Sequence, residues 1–472
     1  MDRRSFIASS AAATALAPFA GRAASTALTG LGAFFDDLQA RTFRYFWDTT
    51  NPANGLAADR WPNAPFASIA AVGFALTAYP IGVERGWVGR LEAAQRVLTT
   101  LRFFDQARQG PAVGGVTGHK GFYYHFLDLK AGERFQTIEL STIDTALLMA
   151  GVLFCGAYFN LDHPVEMQIR GLSEALYRRV DWRWAQQPAA VAPAITMGWD
   201  PSEGFHKLGW GSFNEGMLIY LLALGSPTFP VEPDAWTAWT ANYEQNFGLH
   251  YGPLPHIGYP AMFVHQYPHV WIDFRGIRDA YMRTKGFDYF ENSRRATLAQ
   301  RAYATANPLG WKAYGSDIWG LTACDGPGDI IHAYKGASRQ FHAYTARGPG
   351  MTDDGTLAPT AALGSIAFAP DICVPAAVAM KRRFGQSIYK RYGFIDAFNP
   401  SFDFAEVAPS TGYVARGAGW VGPQYLGIDQ GPVVAMIENL RSGLIWKVMR
   451  ASPHIQRGLT RAGFTGGWLD RI

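Results

Sequence analysis

The chain has 472 residues, of which 48% are hydrophobic, so it is long enough to bury a large core and lacks the composition of a disordered protein. Charged residues make up only 17% and the net charge is +4, which argues against a nucleic-acid-binding protein. Aromatic residues reach 14%. Their rings stack on sugar faces, but a large core also consumes them, so this composition favours carbohydrate binding only weakly.

The N-terminus has the pattern of an export signal. Arg3 and Arg4 are followed by Phe6, Ile7 and then by small, weakly apolar residues. Paired arginines in this context are typical of the twin-arginine signal of bacteria. A general secretory signal with incidental arginines is the alternative. We therefore predict that residues 1–25 are an export signal, that the twin-arginine machinery is a partner, and that the mature protein is periplasmic or secreted.

Apolar residues then recur at helical spacing along the rest of the chain. The pattern predicts helices at 31–47, 67–79, 91–106, 142–159, 164–179, 214–224, 277–303, 360–384 and 431–449. No linker divides the chain, and no other segment is apolar enough to span a membrane. We predict one mainly helical domain over residues 26–472, as a monomer. Its inner helices would point their N-terminal ends at a cleft lined by long loops.

Two carboxyl groups stand at the mouths of predicted helices. Asp144 lies in the first turn of one apolar helix, where the helix dipole also favours an acid. Glu215 follows a loop that contains Trp210 and Asn214, and it opens a second apolar helix. Glycosidases need one carboxyl as acid and a second as base or nucleophile. The pair therefore predicts glycoside hydrolysis, with Glu139 in a supporting role.

A metal site is the competing interpretation for one stretch. His265, His269 and Asp273 follow each other at four-residue intervals, and such residues ligate zinc. Pro268 lies between them and argues against the continuous helix that this spacing needs. We therefore expect contacts to sugar hydroxyls there and no metal ion.

Other residues are candidate substrate contacts. Trp319 offers an indole for stacking, with core packing as the alternative. Asp396 and Asp429 lie in turns before helices, where turn formation alone would also explain them. The chain has no Walker phosphate loop, G-x-S-x-G elbow or H-E-x-x-H motif. Hydrolysis by carboxylates therefore remains the favoured chemistry.

Seven short motifs follow one another in a characteristic order. They are Ile143-Asp144-Thr145-Ala146-Leu147-Leu148, Phe213-Asn214-Glu215, Asp273-Phe274-Arg275-Gly276, Trp319-Gly320-Leu321-Thr322-Ala323, Ala358-Pro359-Thr360-Ala361-Ala362, Phe394-Ile395-Asp396-Ala397-Phe398-Asn399, and Ile428-Asp429-Gln430-Gly431-Pro432 with Met436-Ile437-Glu438-Asn439. Together they resemble the bacterial glucoamylase-like hydrolase family, which includes β-1,2-glucanases and sophorose-releasing enzymes. The resemblance implies an all-α (α/α)6 toroid, no cofactor, and hydrolysis of β-linked glucan, first of all β-1,2-glucan or its oligosaccharides, with inversion.

Our leading hypothesis makes Glu215 and Asp144 the catalytic residues. The residues expected to contact substrate are Glu139, Trp210, Asn214, Asp273, Arg275, Trp319, Asp396, Asp429 and Gln430. The family has Glu where this chain has Asp144, and one methylene less shortens the reach of the carboxyl. The alternatives are therefore a β-glucan-binding protein without catalysis and a transglycosylating enzyme of the same fold. A polysaccharide lyase is disfavoured by the hydrolase motifs.

Overall fold

The computed structural model describes residues 32–189 and 191–471, so the predicted export signal lies outside the described residues. The α-helices are α1 (Gly32–Thr49), α2 (Ile69–Glu84), α3 (Arg90–Gln106), α4 (Thr142–Tyr158), α5 (Pro164–Arg179), α6 (Met217–Gly225), α7 (Asp234–Thr240), α8 (Tyr267–Trp271), α9 (Ala280–Lys285), α10 (Tyr289–Ala306), α11 (Pro359–Leu363), α12 (Pro370–Ile388), α13 (Gly427–Arg441), α14 (Leu444–Arg450) and α15 (Pro453–Arg461). None of the helices described in these ranges has the length and apolar character that a membrane crossing requires.

Short strands connect the helices. They are β1 (Arg60–Trp61), β2 (Ala67–Ser68), β3 (Gly118–His119), β4 (Phe122–Tyr124), β5 (Phe126–Leu127), β6 (Leu140–Ser141), β7 (Gly198–Asp200), β8 (Gly204–Phe205), β9 (Phe247–Gly248), β10 (His256–Ile257), β11 (Ala323–Cys324), β12 (Ile330–Tyr334), β13 (Ala337–Phe341), β14 (Thr345–Ala346), β15 (Tyr389–Lys390), β16 (Gly393–Phe394), β17 (Phe398–Asn399), β18 (Tyr413–Ala415), β19 (Gly419–Val421) and β20 (Tyr425–Leu426). The prediction of a mainly helical protein is confirmed.

The helices form an inner and an outer set. Helices α2, α4, α6 and α13 are buried on nearly every side, as expected for helices that are apolar all round. Helices α1, α3, α5 and α12 bury mainly one stripe and lie outside them. Inner helix α2 packs against α4 and α13, α4 packs against α6, and α8 contacts both α6 and α13. The hydrophobic core therefore lies between the two sets of helices.

Two glycines allow α2 and α4 to touch along their backbones. A Cβ atom on Gly73 would lie 2.3 Å from the carbonyl oxygen of Leu147. A Cβ atom on Gly151 would lie 2.2 Å from the carbonyl oxygen of Gly73. Neither position has room for a side chain, so the close helix crossing depends on both glycines.

The strands set the starting points of two inner helices. Strand β6 belongs to the five-stranded sheet β3-β4-β6-β7-β8, and its last residue, Ser141, is the N-cap of α4. Strand β20 pairs antiparallel with β1, with Arg60 opposite Leu426, and Leu426 is the N-cap of α13. Strand pairing therefore fixes the first turns of α4 and α13, which carry Asp144 and Asp429.

The predicted helix bounds are confirmed at α5 and within one residue at α4. The continuous helices predicted at 277–303 and 431–449 are wrong, because each is split by a glycine with a positive φ. Gly286 (φ 79°) ends α9, and Gly443 (φ 66°) separates α13 from α14. The continuous helix predicted at 360–384 is also wrong, because α11 ends at Leu363 and α12 begins at Pro370.

Candidate active site

Glu215 lies in the turn that precedes α6. Asn214 Oδ1 accepts a hydrogen bond from the Gly216 amide at 2.9 Å, which closes this turn. A Cβ atom on Gly216 would lie 3.0 Å from the Trp210 ring, so the turn is held against the indole. Burial, and then the nearby charge of Asp144, raise the pKa of Glu215 to about 7. Glu215 can therefore hold a proton near neutral pH.

Asp144 lies in the first turn of α4 and is almost fully buried. Its Oδ2 atom accepts a hydrogen bond from the hydroxyl of Ser141, and its own amide donates to that hydroxyl at 3.2 Å. His125 Nε2 lies 3.6 Å from the same Oδ2, and His125 Nδ1 lies 2.9 Å from Glu139 Oε1. Although burial disfavours its charge, the Asp144 and Glu139 carboxylates raise the pKa of His125 to about 9. A cationic imidazole therefore joins these two predicted site residues.

A second pair of acids lies at the mouth of α13. Asp396 and Asp429 are buried, and each has one carboxyl oxygen without a hydrogen-bond partner among the described residues. Asp396 Oδ2 accepts a hydrogen bond from the Asp325 amide at 2.8 Å. Burial raises the pKa of both carboxyls, and the neighbouring charge of Asp396 raises the pKa of Asp429 further. Such a pair retains a proton more readily than isolated aspartates do.

Arg60 links this acidic pair to the N-terminal part of the chain. Its Nε atom lies 3.0 Å from Asp59 Oδ2, and its Nη1 atom lies 3.2 Å from Asp325 Oδ2. Nη1 also donates to Gln424 Oε1 at 2.8 Å. The guanidinium thus offsets part of the negative charge that Asp59, Asp325 and Asp396 bring together.

Tyr267, the first residue of α8, lies near acids of both groups. Its hydroxyl is buried, and burial, followed by the charges of Asp429, Glu215 and Asp144, raises its pKa. Tyr344 lies near Asp429 and Asp396, and the residue is 54% exposed. Tyr344 therefore presents an accessible aromatic surface next to the acidic pair.

A cleft of about 690 Å³ continues from Glu139 towards the surface. Its walls carry the half-buried rings of Phe66, Phe126 and Phe135, and the polar side chains of Asp200 and others. The rings of Phe66 and Phe126 stack at 4.2 Å between centroids. The walls thus combine aromatic faces with hydrogen-bonding groups, which is the combination that sugars require.

Neither predicted tryptophan fits a stacking role. Trp319 is fully buried in the core and presents no ring face to a ligand. Trp210 is 7% exposed, and its Nε1 atom donates to Thr142 Oγ1 at 2.9 Å. Trp210 instead connects the loop that precedes Glu215 to the first turn of α4. Trp319 therefore packs the core, and Trp210 positions the loop before Glu215.

The predicted sugar contacts of Asp273 and Arg275 do not fit their positions either. Asp273 is buried, and its carboxylate accepts hydrogen bonds from Arg275 at 2.7 Å and from Arg450. The Arg275 guanidinium lies over the Trp446 ring, 4.1 Å from its centroid. These contacts tie the end of α8 to α14. The pair is a structural ion pair, because no acid of the cavity takes part in it.

The side-chain amides of Gln430 and Asn214 form hydrogen bonds with the backbone around the site. Gln430 is buried, and its side-chain nitrogen donates to the Phe394 carbonyl at 3.1 Å. Asn214 donates to the Gly211 carbonyl at 2.9 Å as well as closing the Glu215 turn. Because Gln430 is buried, the substrate contact predicted for it does not fit its position. Asn214 lies next to Glu215 and closes the turn that holds this acid.

The three residues considered as metal ligands point to separate partners. His265 Nε2 faces the Tyr259 carbonyl, and His269 Nε2 faces the Ser293 hydroxyl at 3.1 Å. A 3-10 helix ends at His265 and α8 begins at Tyr267, so the chain is not one helix across this stretch. Within the described ranges, no three His, Cys, Asp or Glu side chains come close enough to hold a metal ion.

Sequence reasoning missed several residues of the cavity. His125 stands alone between β4 and β5, where neither spacing nor motif singles it out. Asp59 and Arg60 form a charged dipeptide in an otherwise apolar region, which is a signal that could have been noticed. Tyr267 lies inside the stretch that was considered for metal binding, where only the histidines and the aspartate were weighed.

Residues 207–453, just over half of the chain, match the family described as "Putative glucoamylase". The chain belongs to this family. The matched region of this glucoamylase-family protein includes Glu215, Asp396 and Asp429. It does not include Asp144 or His125, so the half of the cavity contributed by α4 lies outside the match.

Individual relatives match over most of the chain. A crystal structure from Bacteroides uniformis, of a protein with the same family description, is 32% identical with a TM-score of 0.77 and covers 92% of this chain and 97% of that one. An endo-β-1,2-glucanase from Chitinophaga pinensis, in complex with sophorotriose and glucose, is 26% identical with a TM-score of 0.77, and covers 92% and 98%. An exo-β-1,2-glucooligosaccharide sophorohydrolase (non-reducing end) from Parabacteroides distasonis is 29% identical over 459 residues, which are 90% of this chain but 57% of that protein.

Proposed function

We propose that this chain is a glycoside hydrolase that cleaves β-1,2-glucan or its oligosaccharides. The observation that carries the proposal is Glu215, whose pKa of about 7 lets it hold a proton beside the carboxyl of Asp144. A protonated carboxyl next to a second acid is the inventory of a glycosidase. The names of the relatives from Chitinophaga pinensis and Parabacteroides distasonis support the β-1,2 linkage.

In the proposed reaction, Glu215 donates its proton to the glycosidic oxygen as the bond to the anomeric carbon breaks. Asp144 removes a proton from the attacking water, whose oxygen forms the new bond to that carbon. The products are two sugars, one of them with a new anomeric hydroxyl of inverted configuration. Water restores the proton of Glu215 and takes that of Asp144. No metal ion or cofactor enters this scheme.

Tyr344 suits sugar binding near the remaining acids. Asp396 and Asp429 are buried and their unpartnered oxygens are sealed from solvent, so a sugar hydroxyl reaches them only if the surrounding side chains move. The exposed ring of Tyr344 lies beside them and can stack on a glucose face. Carboxylates that line a cavity favour neutral substrates over anionic ones. A neutral glucan therefore fits this site better than a uronate-containing polysaccharide.

We further propose that the two sets of helices form an (α/α)6 toroid around this cavity, in a protein exported by the twin-arginine route. The contacts from α2 through α4, α6 and α8 to α13 and back to α2 support such a ring. The paired Arg3 and Arg4 support the export route. Replacement of both arginines by lysine should strand the precursor in the cytoplasm, as judged by fractionation, and unchanged export would contradict it.

The experiment that tests the activity uses purified protein and a panel of linear β-1,2-, β-1,3-, β-1,4- and α-1,4-glucans. We expect new reducing ends from β-1,2-glucan alone, with product sizes that separate endo from exo cleavage. NMR of the first product would give its anomeric configuration. Longer products would identify a transglycosylase, and binding without turnover would identify a glucan-binding protein; either result would overturn the proposal.

A further inference from the structure

His125 occupies a position between two acids that neither motif nor family match assigns. It lies between β4 and β5, and its amide donates to the carbonyl of Glu139 at 3.0 Å. Its carbonyl accepts from the Ile69 amide at the start of α2. The backbone of His125 is thus held from both sides. Its ring, which packs on Phe126 with 3.9 Å between centroids, has little freedom to turn.

Both ring nitrogens of His125 face carboxylate oxygens. Nδ1 lies 2.9 Å from Glu139 Oε1, within hydrogen-bond distance, and Nε2 lies 3.6 Å from Asp144 Oδ2, as an ion contact. An ionised Glu139 only accepts hydrogen bonds, so Nδ1 carries a hydrogen, while the 3.6 Å contact of Nε2 is an electrostatic contact to Asp144 and not a hydrogen bond. Asp59 adds a third negative charge nearby, while His206 lies close enough to act on Glu139. The surroundings therefore favour the imidazolium cation.

The two oxygens of Asp144 differ in their surroundings. Oδ2 accepts from the Ser141 hydroxyl and faces His125. Among the described residues no donor lies on Oδ1, and that atom is not sealed from solvent as Oδ2 of Asp429 is. One oxygen of Asp144 is thus held, and the other has no hydrogen-bond donor among the described residues.

We propose that His125 is a positioning residue that, with Ser141, holds Oδ2 of Asp144, so that Oδ1 faces the reacting water. The inference rests on the proposed function.

The first test measures the protonation of His125 without reference to turnover. Nitrogen-15 NMR of histidine side chains, assigned by the signal that disappears in His125→Gln, reports on both ring nitrogens. We expect both to remain protonated up to pH 8, with titration near pH 9. In Glu139→Gln the midpoint should fall by one pH unit or more, because one anionic partner is lost. A neutral His125 at pH 7 in the wild-type protein would overturn the inference.

The second test is kinetic and uses the substrate that the glucan panel identifies. His125→Gln should lower kcat about 10- to 100-fold with KM nearly unchanged, since a misplaced reacting group affects the chemical step more than binding. The acidic limb of the pH profile should move to higher pH, because a carboxylate that has lost a neighbouring cation takes up a proton more readily. The matched control is His332→Gln, which removes a histidine 3.2 Å from Glu406 on the β12–β13 hairpin and should keep wild-type kinetics.

The outcomes separate the two proposals. A wild-type protein that cleaves none of the glucans refutes the proposed function, while the NMR titration still decides whether His125 is a cation. A folded His125→Gln protein with wild-type kcat and an unmoved pH profile refutes the positioning role. If His125→Gln melts below the assay temperature, Glu139→Gln replaces it: a lowered kcat with KM nearly unchanged supports the role, and a wild-type kcat overturns it.

Discussion

Replacement of Glu215 by glutamine should inactivate the enzyme and stabilise the protein above neutral pH. The ordinary pKa of 4.5 rises to about 7 in the folded state, which corresponds to about 3 kcal/mol against the ionised form. Below pH 4.5 the group is protonated in both the folded and the unfolded state, so it affects stability little. Between pH 4.5 and 7 the carboxyl is ionised in the unfolded state but still protonated in the folded state, so the free energy of unfolding of the wild-type protein falls with rising pH. Above pH 7 the full loss of about 3 kcal/mol is reached. Glutamine never ionises and avoids the loss.

The expected size of the effect can be expressed as a melting temperature. The entropy of unfolding is about 0.9 kcal/mol/K for about 440 residues near 60 °C, so 3 kcal/mol shifts the midpoint by about 3 °C. Glu215 is only partly enclosed, and solvent screening makes this value an upper limit. We therefore expect Glu215→Gln to melt with the wild type at pH 4 and up to 3 °C above it at pH 8. Over the same series, kcat should fall about 10²- to 10⁴-fold.

The assay combines scanning calorimetry from pH 4 to 8.5 with turnover of the β-1,2-glucan. The matched control is Glu92→Gln, which changes an exposed glutamate on outer helix α3 and should alter neither quantity by much. A folded Glu215→Gln protein with near-wild-type turnover would remove Glu215 from the mechanism. A melting difference that does not grow with pH would refute the account of its buried carboxyl.

Three further substitutions test packing, charge burial and positioning. Gly73→Ala should destabilise the fold by about 1–3 kcal/mol in a urea titration, because its Cβ would lie 2.3 Å from a carbonyl oxygen of α4, whereas Gly171→Ala on α5 has open space and should not. Arg347→Met should lower the free energy of unfolding by about 3–5 kcal/mol, because it leaves the buried carboxylate of Asp354 without the guanidinium whose Nε lies 2.8 Å from Oδ1. Adding Asp354→Asn should restore part of this loss. No recovery in the double variant would contradict the reasoning. Trp210→Phe should lower kcat and leave KM unchanged, because its indole positions the Glu215 loop; a raised KM with normal kcat would instead support sugar stacking.

Local patterns predicted the parts of the site that depend on nearby residues. Asp144 and Glu215 could be placed at helix mouths, because the apolar run that follows each of them identifies an inner helix. The structure brings both near Tyr267, which also lies near Asp429. Their catalytic roles stay predictions. Burial was less accessible to sequence reasoning: Trp319 looks like a stacking platform, but only the packing of distant segments decides that its ring is enclosed.

Long-range pairing explains what could not be predicted. His125 meets its two acids because β4 pairs with β6, an arrangement of two- and three-residue strands that leaves almost no periodic signal. Arg60 meets Asp325 across 265 residues of chain. Glycine breaks such as Gly443 were also missed, since a glycine inside an apolar pattern is compatible with both a continuing and an ending helix.

The pairing of β1 with β20 has a consequence for how the enzyme is made. Residues 60–61 and 425–426 lie side by side in this pair, and α13 also anchors α1 through a hydrogen bond of 3.0 Å from Gln39 to Glu438. A growing chain on the ribosome therefore cannot assemble the site until its last helices have been synthesised. Contacts of such sequence separation form slowly. A nascent copy that lacks α13 would expose the apolar faces of α1 and α2 that α13 covers in the folded protein.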